Sequence, residues 1–446
     1  MRLRRTRHGQ TDDFAGSLPV YGLVLPEIIR ALTLSLSVFV YAGEFMTLLD
    51  ALSRPELWEA FYQYKTGLVC AKAEEKSLRS YLDRRAYEPV CAAIRGGEAL
   101  PLPRRAVISK LHSGKKRVVY VYPEPQNTVF KLLTWLLLRR YDSLFSAGLY
   151  SFRPGRTAKD AIRALRAVPN QRGVYAYKVD VSNYFNSIDL ARFLPLLEEA
   201  LADDPELYRF LRGLLTEPRV LDRGKPLIEQ KGIMAGTPQS SFYANLFLND
   251  LDHSFVRSGL PYARYSDDII LFAPTEAELR EKAARLRDAL AEKGLAVNPA
   301  KEEFYTPETG WTFLGFQCRA GKVDIAPATL DKLKAKMRRK TRALSRWRDR
   351  SGNTGEQAAA AFIRVFNRKL LECPTDHELS WSHWFFSVIN TTDSLEVIDR
   401  YAQDCLRVLV SGKRTKARYN VRYEDLKALG YQSLVHAYYS FDKQKP

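Results

Sequence analysis

The chain is poor in cysteine, in histidine and in uninterrupted apolar sequence. Its five cysteines (Cys70, Cys91, Cys318, Cys373, Cys405) are odd in number, scattered, and form no C-x-x-C pair. That pattern speaks against a disulfide framework or a zinc ribbon and for a reducing cytoplasm. Cys373, His377 and His383 make one loose grouping of soft ligands, and without paired cysteines they are expected to be core or surface residues, not a zinc or nuclease site. The most apolar stretch near the start, Val20 to Gly43, is interrupted by Pro26, Glu27 and Arg30, and its clean part, Ala31 to Gly43, has 13 residues. That is too short to cross a bilayer, so no membrane association is expected. It also begins too far after Arg2, Arg4, Arg5 and Arg7 to complete a signal peptide. Residues 1–45 therefore read as an accessory extension, or as a misassigned start with Met46 as initiator. The intact mass of the native protein decides between the two.

Acid is the other shortage. Against 69 lysines and arginines stand 51 aspartates and glutamates, a net charge of +18 over 446 residues of which 46% are hydrophobic. Such a chain can bury one large core or two to three smaller ones, which excludes a disordered or fibrous protein. The surplus of base favours a polyanionic partner, nucleic acid first. It is densest over residues 331–350, where ten lysines and arginines face only Asp331 and Asp349. A charge run is usually a solvated face, but one so poor in acid is expected to track phosphates. A second basic stretch, Lys413, Arg414, Lys416, Arg418 and Arg422, has no intervening acid and is a candidate RNA clamp. Trp381, Trp384, Phe385 and Phe386 read as packing residues.

Hydrophobic periodicity and turn residues order the elements. Ser53-Arg54-Pro55-Glu56 has the form of a capping box with proline in the first turn, and a helical pattern runs from Glu56 to about Ile94. Pro101 and Pro103 open an extended stretch, and the basic turn Gly114-Lys115-Lys116-Arg117 leads into a strand over Val118–Tyr122. A buried strand is expected over Val174–Val179, helices from Asp189 to about Leu215, and a helix from Thr237 to about Ser258 stopped by Gly259. Tyr262–Tyr265 and Ile269–Phe272 form a hairpin around Ser266-Asp267-Asp268. Thr275-x-x-Glu278 caps a further helix that Gly294 closes, and Ser351 to Gly355 is a plausible linker. Strand, helices, hairpin and helix in this order predict an α+β sheet with helices on one side.

The candidate chemistry is carboxylate chemistry. Asp180 ends an apolar strand and Asp267-Asp268 cap the hairpin. Acids at the ends of neighbouring strands can share hard metal ions, and two Mg²⁺ ions about 4 Å apart serve in-line phosphoryl transfer. Alone, Asp-Asp in a turn is more often a solvated turn.

The ordered segments around these acids resemble the reverse transcriptases of bacteria. Tyr265-Ser266-Asp267-Asp268 resembles the Y-x-D-D box, and Val179-Asp180-Val181-Ser182-Asn183-Tyr184-Phe185 the motif that carries the other metal ligand. Gly232-Ile233-Met234-Ala235-Gly236-Thr237-Pro238, with Ala244-Asn245-Leu246 and Leu251-Asp252, resembles the G-x-P-Q-G-[ST]-P…AN…LD segment. Gly294-Leu295 with Asn298 and Lys301, then Phe313-Leu314-Gly315-Phe316, resembles the next two segments. Ser151-Phe152-Arg153-Pro154-Gly155-Arg156 resembles the fingers motif of group II intron enzymes. Six ordered matches over about residues 105–350 are far more specific than any one of them.

The resemblance implies a right-hand polymerase of α+β class, with fingers, a ferredoxin-like palm and a helical thumb, extended by a helical tail. Its boundaries would be an extension over 1–50, fingers with N-terminal helices over 51–170, palm over 171–320, a basic thumb over 321–352, and an RNA-binding or thumb extension over 353–446. By the same resemblance Asp180 and Asp267 hold two Mg²⁺ ions, with Mn²⁺ as an alternative, the Val181 carbonyl adds an oxygen, and Asp268 supports the site. Phe185, or in second place Tyr184, lies under the incoming sugar and excludes a 2′-hydroxyl. Lys115, Lys116 and Arg117 face the triphosphate, with Arg117 favoured because a guanidinium grips phosphate in bidentate fashion. Lys301 is a candidate proton donor to pyrophosphate, Arg153 and Arg156 line the template path, and Phe313, Leu314 and Gly315 meet the primer end. Ala235 and Gly236 belong to the sugar-contacting loop, but Ala235 stands where the family usually has Gln, and Met234 where it has Pro. That departure sets the chain apart from ordinary intron enzymes and beside divergent stand-alone groups, some of them in antiviral defence against phage.

The leading expectation is thus an RNA-directed DNA polymerase that takes deoxynucleotides (dNTPs), copies an associated, co-encoded non-coding RNA template and releases a DNA product. The alternatives are an intron maturase without a nuclease, which neighbouring DNA would reveal; a catalytically silent RNA-binding scaffold, which has no need of the three acids; and template-independent or protein-primed synthesis. The 24 tyrosines single out no priming hydroxyl, and oligomerisation is left open.

Overall fold

The computed structural model describes residues 40–41, 44–68, 70–109, 116–167, 173–259, 261–372 and 381–442. They fall into two compact units, one running up to Leu314 with Arg319–Gly321, the other comprising Gly315–Cys318 and Lys322 onward. No helix among the described residues is long and apolar enough to cross a membrane. Of residues 1–45, only β1 (Val40–Tyr41) and β2 (Glu44–Phe45), an antiparallel pair, are described; the expectations for the rest, and those for Lys115, Cys373 and His377, lie outside the described residues.

The first unit opens with helices. The single helical stretch expected over 56–94 is three helices, Pro55–Gly67, Lys72–Asp83 and Glu88–Arg95. Gly67 closes the first, and the left-handed Arg85 (φ +47°) separates the second from the third. The expected cap at Ser53 is not made: Arg54 takes the N-cap position, its side chain does not cap the helix, and Pro55 supplies the preset first turn. The helix Glu124–Arg140 is apolar around most of its circumference, burying Val129, Phe130, Leu132, Leu133, Leu136 and Leu137. A helix of that kind belongs at the centre of a core.

Two four-stranded sheets complete this unit. In one, β3 (Arg104–Ser109) pairs antiparallel with β4 (Lys116–Val121) and parallel with β6 (Arg219–Asp222). β6 returns through Arg223-Gly224, both at positive φ, into β7 (Lys225–Ile228), the geometry that suits the twist of a two-residue hairpin. In the other, β8 (Tyr262–Tyr265), β9 (Asp268–Ala273), β5 (Tyr175–Asp180) and β10 (Glu303–Tyr305) lie side by side, all antiparallel. The helix Glu276–Glu292 packs on β5 and β9 through Leu279, Ala283, Leu286 and Leu290. Thr275 caps it as expected, its hydroxyl accepting the Glu278 N–H (3.3 Å), and Gly294 (φ +76°) ends it. The helix expected from Thr237 to Ser258 is two, Ser240–Phe247 and Asn249–Arg257. β11 (Trp311–Phe313) ends the unit and is followed by the positive-φ pair Leu314-Gly315. Fold class is α+β.

The second unit contains β12 (Phe316–Arg319) and β13 (Lys322–Ile325), then a helical array. The basic helix Pro327–Ser351 buries Leu333, Met337, Thr341 and Leu344, one narrow stripe, against the helices Gly355–Leu370 and Asp393–Ser411. The remainder of its surface carries the lysines and arginines. Gly355 permits the tightest approach: a Cβ there would stand 2.2 Å from the Val410 carbonyl oxygen. Trp384, Phe385 and Phe386 are buried, and His383 stacks on Phe441 at 5.0 Å.

One buried carboxylate joins the last helix to this array. Asp399 accepts from Tyr431 Oη (2.7 Å), Ser433 Oγ (2.6 Å) and the N–H groups of Leu434 (2.9 Å) and Val435 (3.1 Å) at the start of helix Leu434–Asp442. Those N–H groups have no partner within the helix, so the carboxylate acts as its cap. Asp399→Ala is expected to cost about 3 kcal/mol and Tyr431→Phe about 1 kcal/mol, read as shifts of the denaturant midpoint.

Candidate active site

β5 ends at Asp180, and Asp268 stands directly opposite it on β9. β8 and β9 close through Tyr265 paired with Asp268, which leaves Ser266 and Asp267 at the tip. The Val181 N–H donates to the Asp267 carbonyl (2.9 Å), tying the end of β5 to the turn. The expected union of Asp180, Asp267 and Asp268 is therefore a consequence of one strand register. Asp180, 5% exposed, is held from a third segment: the Asn298 N–H donates to its carbonyl (2.8 Å), Asn298 Nδ2 to its Oδ1 (3.3 Å), and the Lys301 ammonium pairs with its Oδ2. Asn298 caps the short turn Pro299–Lys301, so one tight turn delivers both side chains to one carboxylate.

The electrostatics follow from crowding. Burial raises the pKa of Asp267, the neighbouring Asp180 charge raises it further, and Lys301 and Arg117 work against both. Asp268 is pushed up to about 7 by burial, then by Asp267 and Asp180. Burial disfavours the Lys301 charge, but Asp180 outweighs it and holds the ammonium above its usual value. Three packed acids with one ammonium in contact leave negative charge uncompensated, and hard oxygen donors of this kind fit Mg²⁺. Among the described residues no three His, Cys, Asp or Glu side chains stand close enough to hold an ion together. The expected set needs only two, from Asp180 and Asp267, plus the Val181 carbonyl. Val181 bridges Val297 through the bonds Ser182 N–H to Ala296 O and Asn298 N–H to Asp180 O, neither of which uses that carbonyl.

Beneath the turn lies an ion pair that the sequence reading did not single out. Arg264 and Asp252 are both 0% exposed, and the guanidinium clasps the carboxylate through Nε (2.8 Å) and Nη2 (2.6 Å). Its remaining donors reach the carbonyls of Asn245 (3.0 Å), Ala244 (3.4 Å) and Ser266 (3.2 Å). The Ser266 N–H in turn donates to Ser151 Oγ (2.8 Å), and Ser151 is bonded both ways to Asn245. Ser266 is left-handed (φ +61°), a conformation costing a non-glycine residue roughly 1–2 kcal/mol, and these bonds hold it there. The Ala-Asn and Leu-Asp fragments of the sequence are thus the scaffold of the acid turn. The available signal was an arginine inside an otherwise apolar four-residue strand.

The glycine-bearing loop 232–238 lies between two backbones. A Cβ on Gly232 (φ +52°) would stand 2.4 Å from the Phe185 carbonyl oxygen, which accepts the Ile233 N–H (3.0 Å). The Tyr120 N–H donates to the Ala235 carbonyl (2.8 Å), and a Cβ on Gly236 (φ +98°) would meet Val119 at 2.9 Å. The loop thereby joins the Phe185 segment to β4, whose first residues are the exposed Lys116 and Arg117. Met234 has φ +56° and its N–H donates to the Lys231 carbonyl (3.0 Å). Proline can do neither, so the departure from the family's Pro is one of backbone conformation as well as side chain.

Several expected contact residues have other duties. Tyr184 is 2% exposed, with its hydroxyl on the Ala244 carbonyl (2.6 Å); it is core and cannot lie under a sugar, which leaves the half-buried Phe185. Arg153 does not line a template path: its guanidinium, 5% exposed, is consumed by Asp142 (2.7 and 3.0 Å) and by the carbonyls of Asp142 (3.0 Å) and Ser146 (2.7 Å). Arg156 is half-buried over the Tyr150 ring and donates to the Ala147 carbonyl (2.7 Å). The Phe313 ring and the Ala235 methyl are buried, so neither side chain is offered to a substrate, whereas Leu314 and Gly315 are partly exposed.

Replacing either partner of the buried pair alone, as Arg264→Leu or Asp252→Leu, is expected to cost about 3–5 kcal/mol in denaturant unfolding, because the other charge is stranded. The double variant should lose clearly less than the sum. Met234→Pro, which restores the family's residue, is expected to destabilise the protein by about 3 kcal/mol or more, not to improve it, and a thermal melt checks the sign.

Residues 108–318 match the family described as reverse transcriptase (RNA-dependent DNA polymerase). Over 162 residues the chain is 29% identical to the "Uncharacterized 91 kDa protein in cob intron" of Schizosaccharomyces pombe, a stretch amounting to 33% of this chain and 18% of that protein. The chain thus matches less than a fifth of that relative's length. Among solved structures it is similar to apo telomerase from Candida tropicalis truncated from its C-terminal domain, at 12% identity and TM-score 0.42 over 67% of this chain and 77% of that one. It is similar also to telomerase from Candida albicans in complex with a TWJ fragment of telomeric RNA, at 12% identity and TM-score 0.43 over 82% and 71%. The family match spans β4, the loop 232–238, the acid cluster and the buried pair beneath it, and residues 108–318 of this chain are a reverse transcriptase domain.

Proposed function

We propose that the chain is an RNA-directed DNA polymerase that uses Mg²⁺ to add deoxynucleotides while copying an associated RNA. The observation that carries this reading is the meeting of Asp180, Asp267 and Asp268 at one end of an antiparallel sheet, inside a reverse transcriptase domain. The sheet β10-β5-β9-β8 is then the palm, the sheet with β3 and β4 belongs to the fingers, and the basic helix Pro327–Ser351 to the thumb. When bound, two Mg²⁺ ions activate the primer hydroxyl and neutralise the departing pyrophosphate. Asp180 and Asp267 hold them, and Asp268 keeps the turn and its charge in place. Arg117, whose charge reaches Asp267, binds the triphosphate with Lys116 and Lys115. Lys301 keeps its proton on Nζ against Asp180, ready for transfer to pyrophosphate. Phe185, fixed through its own carbonyl to Ile233, excludes a 2′-hydroxyl.

The altered loop at Met234 and Ala235 supports a divergent enzyme of this kind, with antiviral defence as its role. A second reading, an intron-encoded protein, draws on the likeness to a protein whose name places it in the cob intron.

The test is to purify the protein with its accompanying RNA, supply labelled dNTPs and Mg²⁺, and sequence the product. DNA complementary to the co-purified RNA is expected from the wild type and none from Asp180→Ala or Asp267→Ala. Asp268→Asn should retain activity lowered about 10–100-fold, as befits a supporting residue. Intron sequence in the co-purified RNA selects the second reading, and untemplated homopolymer overturns the templated one. Plaque counts with wild type and Asp267→Ala test the defence role.

A further inference from the structure

The two basic stretches of the second unit meet at a cavity. It has a volume of about 300 Å³ and lies between helix Pro327–Ser351, helix Asp393–Ser411 and the loop that follows Gly412. Arg338 and Arg342 enter it from the first helix, Tyr401 and Asp404 from the second, Arg414 and Arg418 from the loop. Four guanidiniums therefore share a small space with one carboxylate. That carboxylate is divided between Arg407 (3.6 Å) and Arg418 (3.8 Å). Among the described residues, Arg338, Arg342 and Arg414 form no ion pair.

Such an arrangement gathers like charge at one surface recess, with Arg338, Arg342 and Arg414 exposed and Arg418 half-buried. Arg338 and Arg342 are four residues apart on one helix face, where like charges repel. Burial raises the pKa of the Tyr401 phenol, and both guanidiniums stand near enough to work against that rise. Arg418 is fixed in advance: Nη1 donates to the carbonyls of Arg414 (3.0 Å) and Thr415 (3.2 Å), Nη2 to Tyr419 Oη (2.7 Å), and its plane lies 4.3 Å from the Tyr419 ring centre. Guanidiniums converging from two segments, one already oriented, match the tetrahedral oxygens of a phosphate better than a diffuse basic face does. The volume admits a phosphate with part of a sugar or base, at the lower end for ligand sites.

We propose that this cavity is a phosphate-binding site that seats one phosphodiester of an RNA strand. The identity of the strand rests on the polymerase reading above, whereas the chemistry of the site does not. Bound there, the phosphate would relieve the repulsion between Arg338 and Arg342 and fasten the loop after Gly412 to the basic helix, so that the second unit holds RNA at a point and not only along a charged surface.

The experiment uses the full chain and a fluorescent single-stranded RNA, with anisotropy read across a salt titration in the absence of dNTPs and Mg²⁺. The double variant Arg338→Ala, Arg342→Ala is expected to bind about ten-fold more weakly and to lower the salt slope by about 1, the signature of a lost phosphate contact. Arg414→Ala, in a loop where helix stability is not at stake, should lose about three-fold. The control is Arg364→Ala, Arg368→Ala, an exposed pair of the same spacing on helix Gly355–Leu370 and outside the cavity, expected to change affinity less than about two-fold. Equal losses in the two double variants, or none in either, overturn the site. Thermal shifts with inorganic phosphate and AMP identify the source: stabilisation of the wild type that the Arg338/Arg342 variant lacks, with RNA affinity unchanged, assigns the cavity to a free phosphate compound and overturns the RNA assignment. Because binding is read without synthesis, a chain that fails to polymerise leaves this outcome readable, and a failed site leaves the polymerase assay untouched.

Discussion

The turn that carries Asp267 and Asp268 depends on a fully buried ion pair. Taking Arg264 and Asp252 out of water costs several kcal/mol per charge, and the pair is tolerable because the guanidinium is saturated: two bonds to Asp252, three to carbonyls of neighbouring segments. Those carbonyls belong to the Ala244-Asn245 helix and to the Ser266 turn. A hydrophobic pair of equal volume would fill the same space, but it would not specify where the turn sits. The Ser266 backbone would then lose the contacts that hold it left-handed, and the two acids that follow would lose their common origin.

The same economy operates around Asp180, where a single short turn supplies Asn298 and Lys301. Across the cluster, Asp180 is held from the 298–301 turn, whereas Asp267 and Asp268 are placed together through the buried pair beneath Ser266. The loop 232–238 extends the arrangement to β4, with backbone bonds at Ile233 and Ala235. Side chains that look like contact residues in a linear reading, such as Tyr184 and Arg153, turn out to be the fastenings of this frame.

That is also where linear reading reaches its limit. The acids, the α+β class, the strands β5, β8 and β9 and the cap at Thr275 were legible, because each rests on local periodicity or turn chemistry. The roles of Arg264, Asp252, Ser151 and Asn298 were not, because each acts by bonding to a residue or a backbone group distant in the chain. Arg153 was misassigned for the same reason: nothing in Ser151–Arg156 reveals that Asp142 waits to consume it. The helix breaks at Arg85 and Leu248 and the pair β6–β7 also escaped, since short strands and kinks carry little pattern over a few residues.

The register that sets Asp180 across from Asp268 has a consequence for how the domain can change in length. In antiparallel strands successive side chains alternate in direction, so one residue inserted or deleted within β5, β8 or β9 would turn the acids from one face to the other. β5 is paired on both sides, to β9 and β10, so it has no free edge on which to absorb a bulge. Growth of the domain is therefore confined to places such as the exposed Arg223-Gly224 tip between β6 and β7, where added residues shift nothing that faces the acids. Spacing within the sheet is thereby under a stricter constraint than the identity of most residues in it: a substitution there is paid for locally, whereas an insertion is charged to the whole site.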